Sequence, residues 1–372
     1  MTIEIYNSVR GLAYLDKIIS AWSHSGYSVT EVHALDQASY RAGRTRWERL
    51  LLRWKMYGAF PFQCWRRART KIGNKAPIRV VTTNPFFAPA LVRWAAGGRG
   101  RTVNLVYDLY PDALIESGLI SPTGWLARRC AALTRRAMRM CEVSVFLGDH
   151  LRKHAEARYG LAKHAVVIPV GADGGPFQNF PPTKMSSSGR ITVLYAGQLG
   201  RLHDFATITE AVLRGIPSRV VIQFHASGSG VAALRNLAQG RIVADGPLGP
   251  DEWHQVMVES QVALVTMAPG AEKVVMPSKT YSALVAGQAV LAVCPLESDL
   301  AALIAKHDCG WVVAPGDVES LQKILHLIAD APEVLHAKRL NAFSAGHLHY
   351  DSKVLARRWL ELFESIGGHA RS

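Results

Sequence analysis

The chain has 372 residues, 49% of them apolar, and carries 43 Lys/Arg against 29 Asp/Glu for a formal net charge of +14. That length is more than one hydrophobic core usually supports, so two domains are expected, each apolar enough to fold. Five scattered cysteines without a CxxC pair argue against a disulfide framework or a cysteine zinc site and for a reducing compartment.

The chain opens Met-Thr-Ile-Glu-Ile-Tyr-Asn, with no basic start followed by an apolar run, and no stretch approaches the roughly 20 apolar residues of a membrane span. A cytoplasmic protein is expected. Residues 3–6, 28–33, 78–82, 103–107, 143–147 and 166–170 are short apolar, β-branched runs with helical patterns between most of them. Several are apolar throughout, as parallel strands covered on both faces must be. Asn7-Ser8-Val9-Arg10-Gly11 follows the first run as a loop.

Residues 41–71 hold ten basic residues and one acid, Glu48. Trp47, Leu50, Leu51 and Trp54 recur at i, i+3, i+4 and i+7, flanked by Arg46, Arg49, Arg53 and Lys55, the pattern of a basic amphipathic helix. Such a helix can lie in an anionic membrane interface. Alternatively Trp47, Leu51 and Trp54 pack into the domain's own core and the arginines are merely solvated. The charge is one-sided: residues 1–185 carry a net +15 and the remainder −1. This favours the membrane reading; a nucleic-acid partner is not expected, because no recognised nucleic-acid module is visible.

Tyr107-Asp108-Leu109-Tyr110-Pro111-Asp112 closes another strand. A carboxylate there, Asp108 first and Asp112 second, can accept or orient the proton of a hydroxyl nucleophile, unless Asp108 is a helix N-cap. Residues 173–189 are dense in proline, glycine and serine and read as an interdomain linker.

The second half places glycine-bearing turns after strands. Residues 191–196 run into Gly197-Gln198-Leu199-Gly200-Arg201-Leu202-His203, and residues 219–225 into Ser227-Gly228-Ser229-Gly230. Asp245-Gly246-Pro247-Leu248 precedes a helix, and residues 261–267 read as a strand. Then Pro277-Ser278-Lys279-Thr280-Tyr281 leads into an apolar helical face that ends at Ala286-Gly287 before a buried strand. A lysine in the first turn of a helix at a sheet's carboxyl edge suits a phosphate or diphosphate.

This ordered series resembles the donor-binding half of family 4 glycosyltransferases, the bacterial polysaccharide type whose signature reads Pro-Ser-Lys, then Tyr, then Ala-Gly. The likeness covers about residues 190–330. It implies an α/β, GT-B fold: two doubly wound parallel-sheet, Rossmann-like domains facing across a cleft. Boundaries are expected at 1–172, a linker at 173–189, a donor domain at 190–345, and residues 346–372 crossing back as a helix. It implies retaining transfer of a sugar from a nucleotide donor to a polyprenyl-diphosphate-linked glycan during exopolysaccharide, O-antigen or capsule assembly, at the cytoplasmic face of the membrane. No cofactor or metal is implied, since GT-B enzymes offset the leaving diphosphate with basic side chains and helix ends.

On this resemblance Lys279 is the electrostatic clamp and Arg201 its second. Donor contacts fall to Gly197, Gln198, Gly200, His203, Ser227, Gly228, Gly246, Leu248, Glu272, Pro277, Ser278, Thr280 and Ser282. Acceptor contacts fall to Arg10, Gly11 and Asp112, with Asp108 catalytic. The sequence departs from the family where Gln198 holds the usual arginine position and His203 lies near the usual lysine. The two family glutamates, eight apart, correspond to Val274 and Ser282, leaving Glu272 to replace the first. Two alternatives share the fold: a non-hydrolysing nucleotide-sugar epimerase and a catalytically silent partner subunit.

Overall fold

The computed structural model describes residues 2–11, 13–36, 45–70, 76–184, 189–228, 231 and 242–367. The chain divides into two compact units, Met1–Val170 with Ser352–Ser372, and Gly171–Asp351.

The first unit contains β1 (Thr2–Tyr6), β2 (Val9–Arg10), β3 (Ser28–Val32), β4 (Leu35–Asp36), β5 (Ile78–Thr82), β6 (Arg101–Val106), β7 (Val143–Phe146) and β8 (Ala165–Val167). Six of these form one parallel sheet in the order β3-β1-β5-β6-β7-β8, while β2 and β4 pair separately. All five residues of β5 are buried, which is why its run cannot alternate with polar residues. Arg79 is tolerated within that run because Glu4 lies 3.1 Å away. Glu4 also takes Arg67 at 2.7 Å and the Tyr6 hydroxyl at 2.9 Å. β8 ends at Val167, short of the expected 166–170, although Ile168 still donates to the Phe146 carbonyl.

The chain runs one way from β1 to β3 and the other way from β3 to β8. Right-handed crossovers therefore put the helix Ala13–His24 on one face and the later helices on the other. The helix Ser352–Gly367 joins Ala13–His24: the Trp22 ring meets Trp359 and Phe363 edge-on, with centroids 5.6 and 4.9 Å apart. Against the other face, Phe60, Cys64 and Ala68 pack with Ala88 and Val92 over Tyr6 and Val81.

The second unit contains β9 (Ile191–Gln198), β10 (Val220–Ser227), β11 (Ile242–Asp245), β12 (Val262–Thr266), β13 (Ala289–Val293) and β14 (Gly310–Val313). All pair in parallel in the order β11-β10-β9-β12-β13-β14. This is a doubly wound Rossmann order whose direction reverses between β9 and β12, opening a crevice at their carboxyl ends. Val193, Tyr195, Ile222, Phe224, Leu264 and Leu291 build its core. A Cβ on Gly310 would stand 1.9 Å from the Val290 carbonyl oxygen, so β14 can begin only with glycine. Residues 171–184 pack onto this unit: Phe177 is buried against Trp253 and His254, and Arg339 donates to the Gly287 and Thr183 carbonyls. Residues 185–188 of the expected linker lie outside the described residues. Both sheets are parallel and doubly wound, the α/β class that the sequence implies.

Candidate active site

At the switch point of the second unit, Lys279 opens the helix Lys279–Val285, but its side chain turns inward. Its Nζ is buried, has no hydrogen-bond partner among the described residues, and lies 3.5 Å from the centroid of the Tyr195 ring. The Tyr195 hydroxyl donates to the Gln198 carbonyl at 2.7 Å, which fixes the ring beneath the amine. A cavity of about 60 Å³ adjoins them, lined by Leu194, Trp253, Met257, Lys279, Ser282 and Gln288. Burial pulls the amine's pKa from 10.5 down to about 7. An ammonium facing an aromatic ring gains some cation–π energy, but a buried cation without a hydrogen-bond acceptor remains unsatisfied until an anion reaches it.

The turn after β9 shapes the approach. Gly197 adopts φ 132°, and a Cβ there would sit 3.7 Å from Lys279 Cε and 3.8 Å from Nζ. Gly228, with φ 112°, is required for a different reason: its Cβ would stand 2.3 Å from the Leu199 carbonyl oxygen. His203 Nδ1 lies 3.1 Å from the Gly200 N–H nitrogen and 3.3 Å from the Gly200 carbonyl oxygen, so the ring is tied to the turn through that nitrogen in either tautomer. Burial, then the charge of Lys279, lower the pKa of His203 to about 4, so the ring is neutral at pH 7.

Thr280 Oγ1 and Glu272 Oε2 are also buried without partners among the described residues, and Lys273 lies 3.9 Å from the other Glu272 oxygen. Gln198 and Ser227 face each other as the last register pair of β9 and β10, both exposed. Arg201 is exposed one residue beyond Gly200, and Pro277 and Ser278 lead into Lys279. The structure thus brings Gly197, His203, Lys279 and Ser282 together. Gly246 and Leu248 follow β11, two strands away from β9, beside an open hollow of about 470 Å³ whose wall holds Asp245, Glu252 and Glu259. Tyr195 escaped the sequence reading; its one signal is a lone aromatic in the otherwise aliphatic run Ile-Thr-Val-Leu-Tyr-Ala.

In the first unit Asp108 follows β6. Thr83 Oγ1 donates to its carbonyl at 2.9 Å, while its carboxylate has no hydrogen bond or ion pair among the described residues. The side chain lines a small cavity with Thr83, Phe86, Asn104, Tyr110 and Thr134, and burial raises its pKa to about 6. Asp108 caps no helix, because the helix Asp112–Glu116 starts four residues later with Pro111 at its N-cap. Asp112, the second acceptor candidate, is tied into its own unit. It is buried and accepts from His154 Nε2 at 3.1 Å, Arg158 Nε at 3.2 Å and the Tyr159 hydroxyl. Burial alone would raise its pKa, but the bonds from His154 and Tyr159 and the Arg158 charge outweigh it and hold the carboxyl below the usual range. Arg10 is exposed at the end of β2, 3.8 Å from Glu31, with Gly11 beyond it at φ 86°.

The helix Arg46–Trp54 starts with a capping box: Glu48 N–H donates to Thr45 Oγ1 at 3.2 Å and Thr45 N–H to Glu48 Oε2 at 2.9 Å. No residue of it is buried; Trp47 is 80% and Trp54 62% exposed, with Leu50 and Leu51 exposed beside them. That overturns the core reading of these rings. The segment is held instead through Met56, which packs on Val9 and Leu35. Residues 41–44 and 71 of the basic stretch lie outside the described residues. None of the described helices is long and apolar enough to cross a membrane.

No family model matches the chain. It is 24% identical over 316 residues to the probable glycosyltransferase WbjE of Pseudomonas aeruginosa, covering 80% of this chain and 77% of that one. It is 23% identical over 249 residues to the putative colanic acid biosynthesis glycosyl transferase WcaI of Escherichia coli (strain K12), covering 62% and 60%. Among solved structures, Anabaena Alr3699/HepE in complex with UDP superposes with a TM-score of 0.68 at 13% identity, covering 98% and 99%. WaaG, a glycosyltransferase involved in lipopolysaccharide biosynthesis, gives 0.66 at 13% identity, covering 97% and 99%. At such identities the structures speak for the fold, which is GT-B, and both named relatives are described as glycosyltransferases.

Proposed function

We propose that this protein moves a sugar, with retention of configuration, from a nucleoside-diphosphate donor to a polyprenyl-diphosphate-linked glycan during assembly of a bacterial surface polysaccharide. It works at the cytoplasmic face of an anionic membrane. One observation carries this reading: the Nζ of Lys279, buried at the switch point with no hydrogen-bond partner among the described residues. The sugar's bond to the diphosphate breaks as its bond to the acceptor oxygen forms. Lys279 and Arg201 offset the charge growing on the leaving group, and Asp108 accepts or orients the acceptor's hydroxyl proton. Likeness to WcaI and WaaG supports the pathway class, and the UDP and UDP-glucose complexes of HepE support a nucleotide donor.

Calorimetric titration with nucleoside diphosphates tests the site. A bound diphosphate favours the charged amine and raises its pKa from about 7, so binding takes up a proton. Affinity should therefore fall as pH rises from 7 to 9, by up to about tenfold per unit, with a buffer-dependent heat that reports the proton. An affinity flat over that range would remove Lys279 from the contact.

Since side chains supply the positive charge, transfer should persist in excess EDTA. Loss on chelation that magnesium or manganese alone restores would contradict this. The membrane share of the reading rests on the exposed tryptophans and arginines of Arg46–Trp54. Arg46→Gln, Arg49→Gln and Arg53→Gln combined should lower co-sedimentation with anionic vesicles, and raised salt should do the same within a Debye length of about 8–10 Å. Unchanged partition would leave that helix without a membrane role.

A further inference from the structure

We infer that the first unit carries a second membrane-contact patch, formed by Leu119, Trp125 and Leu126 with Arg128 and Arg129, which rests on the same anionic bilayer as the helix Arg46–Trp54. This rests on the membrane reading above. Trp125 is 70% and Leu119 64% exposed. Single exposed apolar residues are ordinary, but here Trp125 and Leu126 open a helix whose next turn carries two cations. Residues 117–141 hold five arginines and no acid. Arg128 and Arg129 follow Trp125 by three and four positions on the helix Trp125–Met140, one turn away on the same side. Both are exposed, and neither has an ion-pair partner among the described residues. A helix that merely meets water usually mixes its charges; one sign alone complements a polyanionic surface.

The topology puts both patches at one edge. β6 and β7 are parallel, and the helix Trp125–Met140 ends just before β7 begins. Its far end, with Trp125, therefore lies toward the carboxyl edge of the sheet. Residues 46–69 return to β5 in the same sense, with Met56 lodged on Val9 and Leu35 beyond the carboxyl ends of β1 and β3. The helix Ala88–Ala96 packs between Phe60–Arg69 and Trp125–Met140, which sets those two helices about two helix spacings, roughly 20 Å, apart. The loop ahead of that helix brings the Phe86 ring within 5.2 Å of Phe87 and 5.8 Å of Tyr110, and Phe86 and Tyr110 line the cavity of Asp108. A bilayer touching both patches thus meets the edge where Asp108 waits for a lipid-borne hydroxyl. Two anchors on one body also make the second contact intramolecular, strengthening binding beyond either alone.

The test is co-sedimentation of the full chain with phosphatidylcholine vesicles containing about a third phosphatidylglycerol, charges that attract each arginine. Trp125→Ala with Arg128→Gln and Arg129→Gln should weaken binding about tenfold or more, from two lost charges and one lost ring. Trp125→Tyr with Arg128→Lys and Arg129→Lys should keep most of it. Joining the first set to Arg46→Gln, Arg49→Gln and Arg53→Gln should remove binding almost completely. If the Trp125 set binds like wild type while the Arg46 set does not, the second patch is wrong and the membrane reading stands. If wild type itself shows no preference for anionic vesicles, the membrane reading falls and takes this one with it. If the Trp125 set instead turns a self-associating protein monomeric with lipid binding intact, the patch is an interface between copies and the proposal is overturned.

Discussion

Lys279→Ala is expected to lower turnover by about two to three orders of magnitude, the usual cost of removing one preorganised contact to a developing anion. It should also weaken nucleoside-diphosphate binding and abolish the fall in affinity above pH 7. The fold should survive, because among the described residues the amine makes no hydrogen bond that alanine would break. Burial depresses the amine's pKa to about 7, below its unfolded value, so the unfolded chain binds more protons between those two values. Stability then rises with pH across that window, and the alanine variant should lose this slope and melt no lower than wild type at neutral pH. Full activity in a folded Lys279→Ala protein would move the diphosphate elsewhere. Lys279→Arg is a finer probe, because a planar fork over the Tyr195 ring is not a point charge.

Asp108→Asn should depress transfer by about 10²–10⁴-fold, the range of a positioned general base, and leave donor affinity unchanged. Burial raises the pKa of Asp108 to about 6, so wild-type transfer should decline as pH falls through that value, and the asparagine variant should lose that limb of the profile. The linkage has the opposite sign from Lys279. A carboxyl with a raised folded pKa contributes stability below its unfolded value and loses it as pH rises through about 6. At pH 7–8 the ionised group is a cost, and Asp108→Asn should melt at or above wild type. A variant that loses donor binding, or fails to fold, would show that Asp108 holds the loop after β6 and serves no acceptor.

What could be read from the residues, and what could not, follows the range of the interactions. The run Ile78–Thr82 declares a doubly covered strand by composition alone, and the structure buries every residue of it. The same reasoning overran at 166–170, where β8 ends at Val167. The amphipathic period of residues 46–54 was plain, yet a core helix and an interfacial one share that period. What separates them is Met56, two positions past Trp54, which takes the anchoring contact and leaves the tryptophans in the open. Lys279 was legible as a cation beside a helix start, but its inward path over Tyr195 depends on a residue 84 positions earlier, which no local pattern encodes. The surroundings of Asp112 were hidden for the same reason: His154, Arg158 and Tyr159 reach it from a helix more than forty residues on. Asp108, its neighbour in the same motif, kept its carboxylate free of such partners.

The most direct measurement is transfer itself: purified protein with a panel of radiolabelled nucleotide sugars and a membrane lipid extract, followed by separation of lipid and aqueous label. Movement of label from one donor into the lipid fraction, lost in Lys279→Ala, is the predicted result. Label that stays in the aqueous phase as an interconverted nucleotide sugar would make the protein an epimerase, and label left entirely on unchanged donors would contradict a catalytic role.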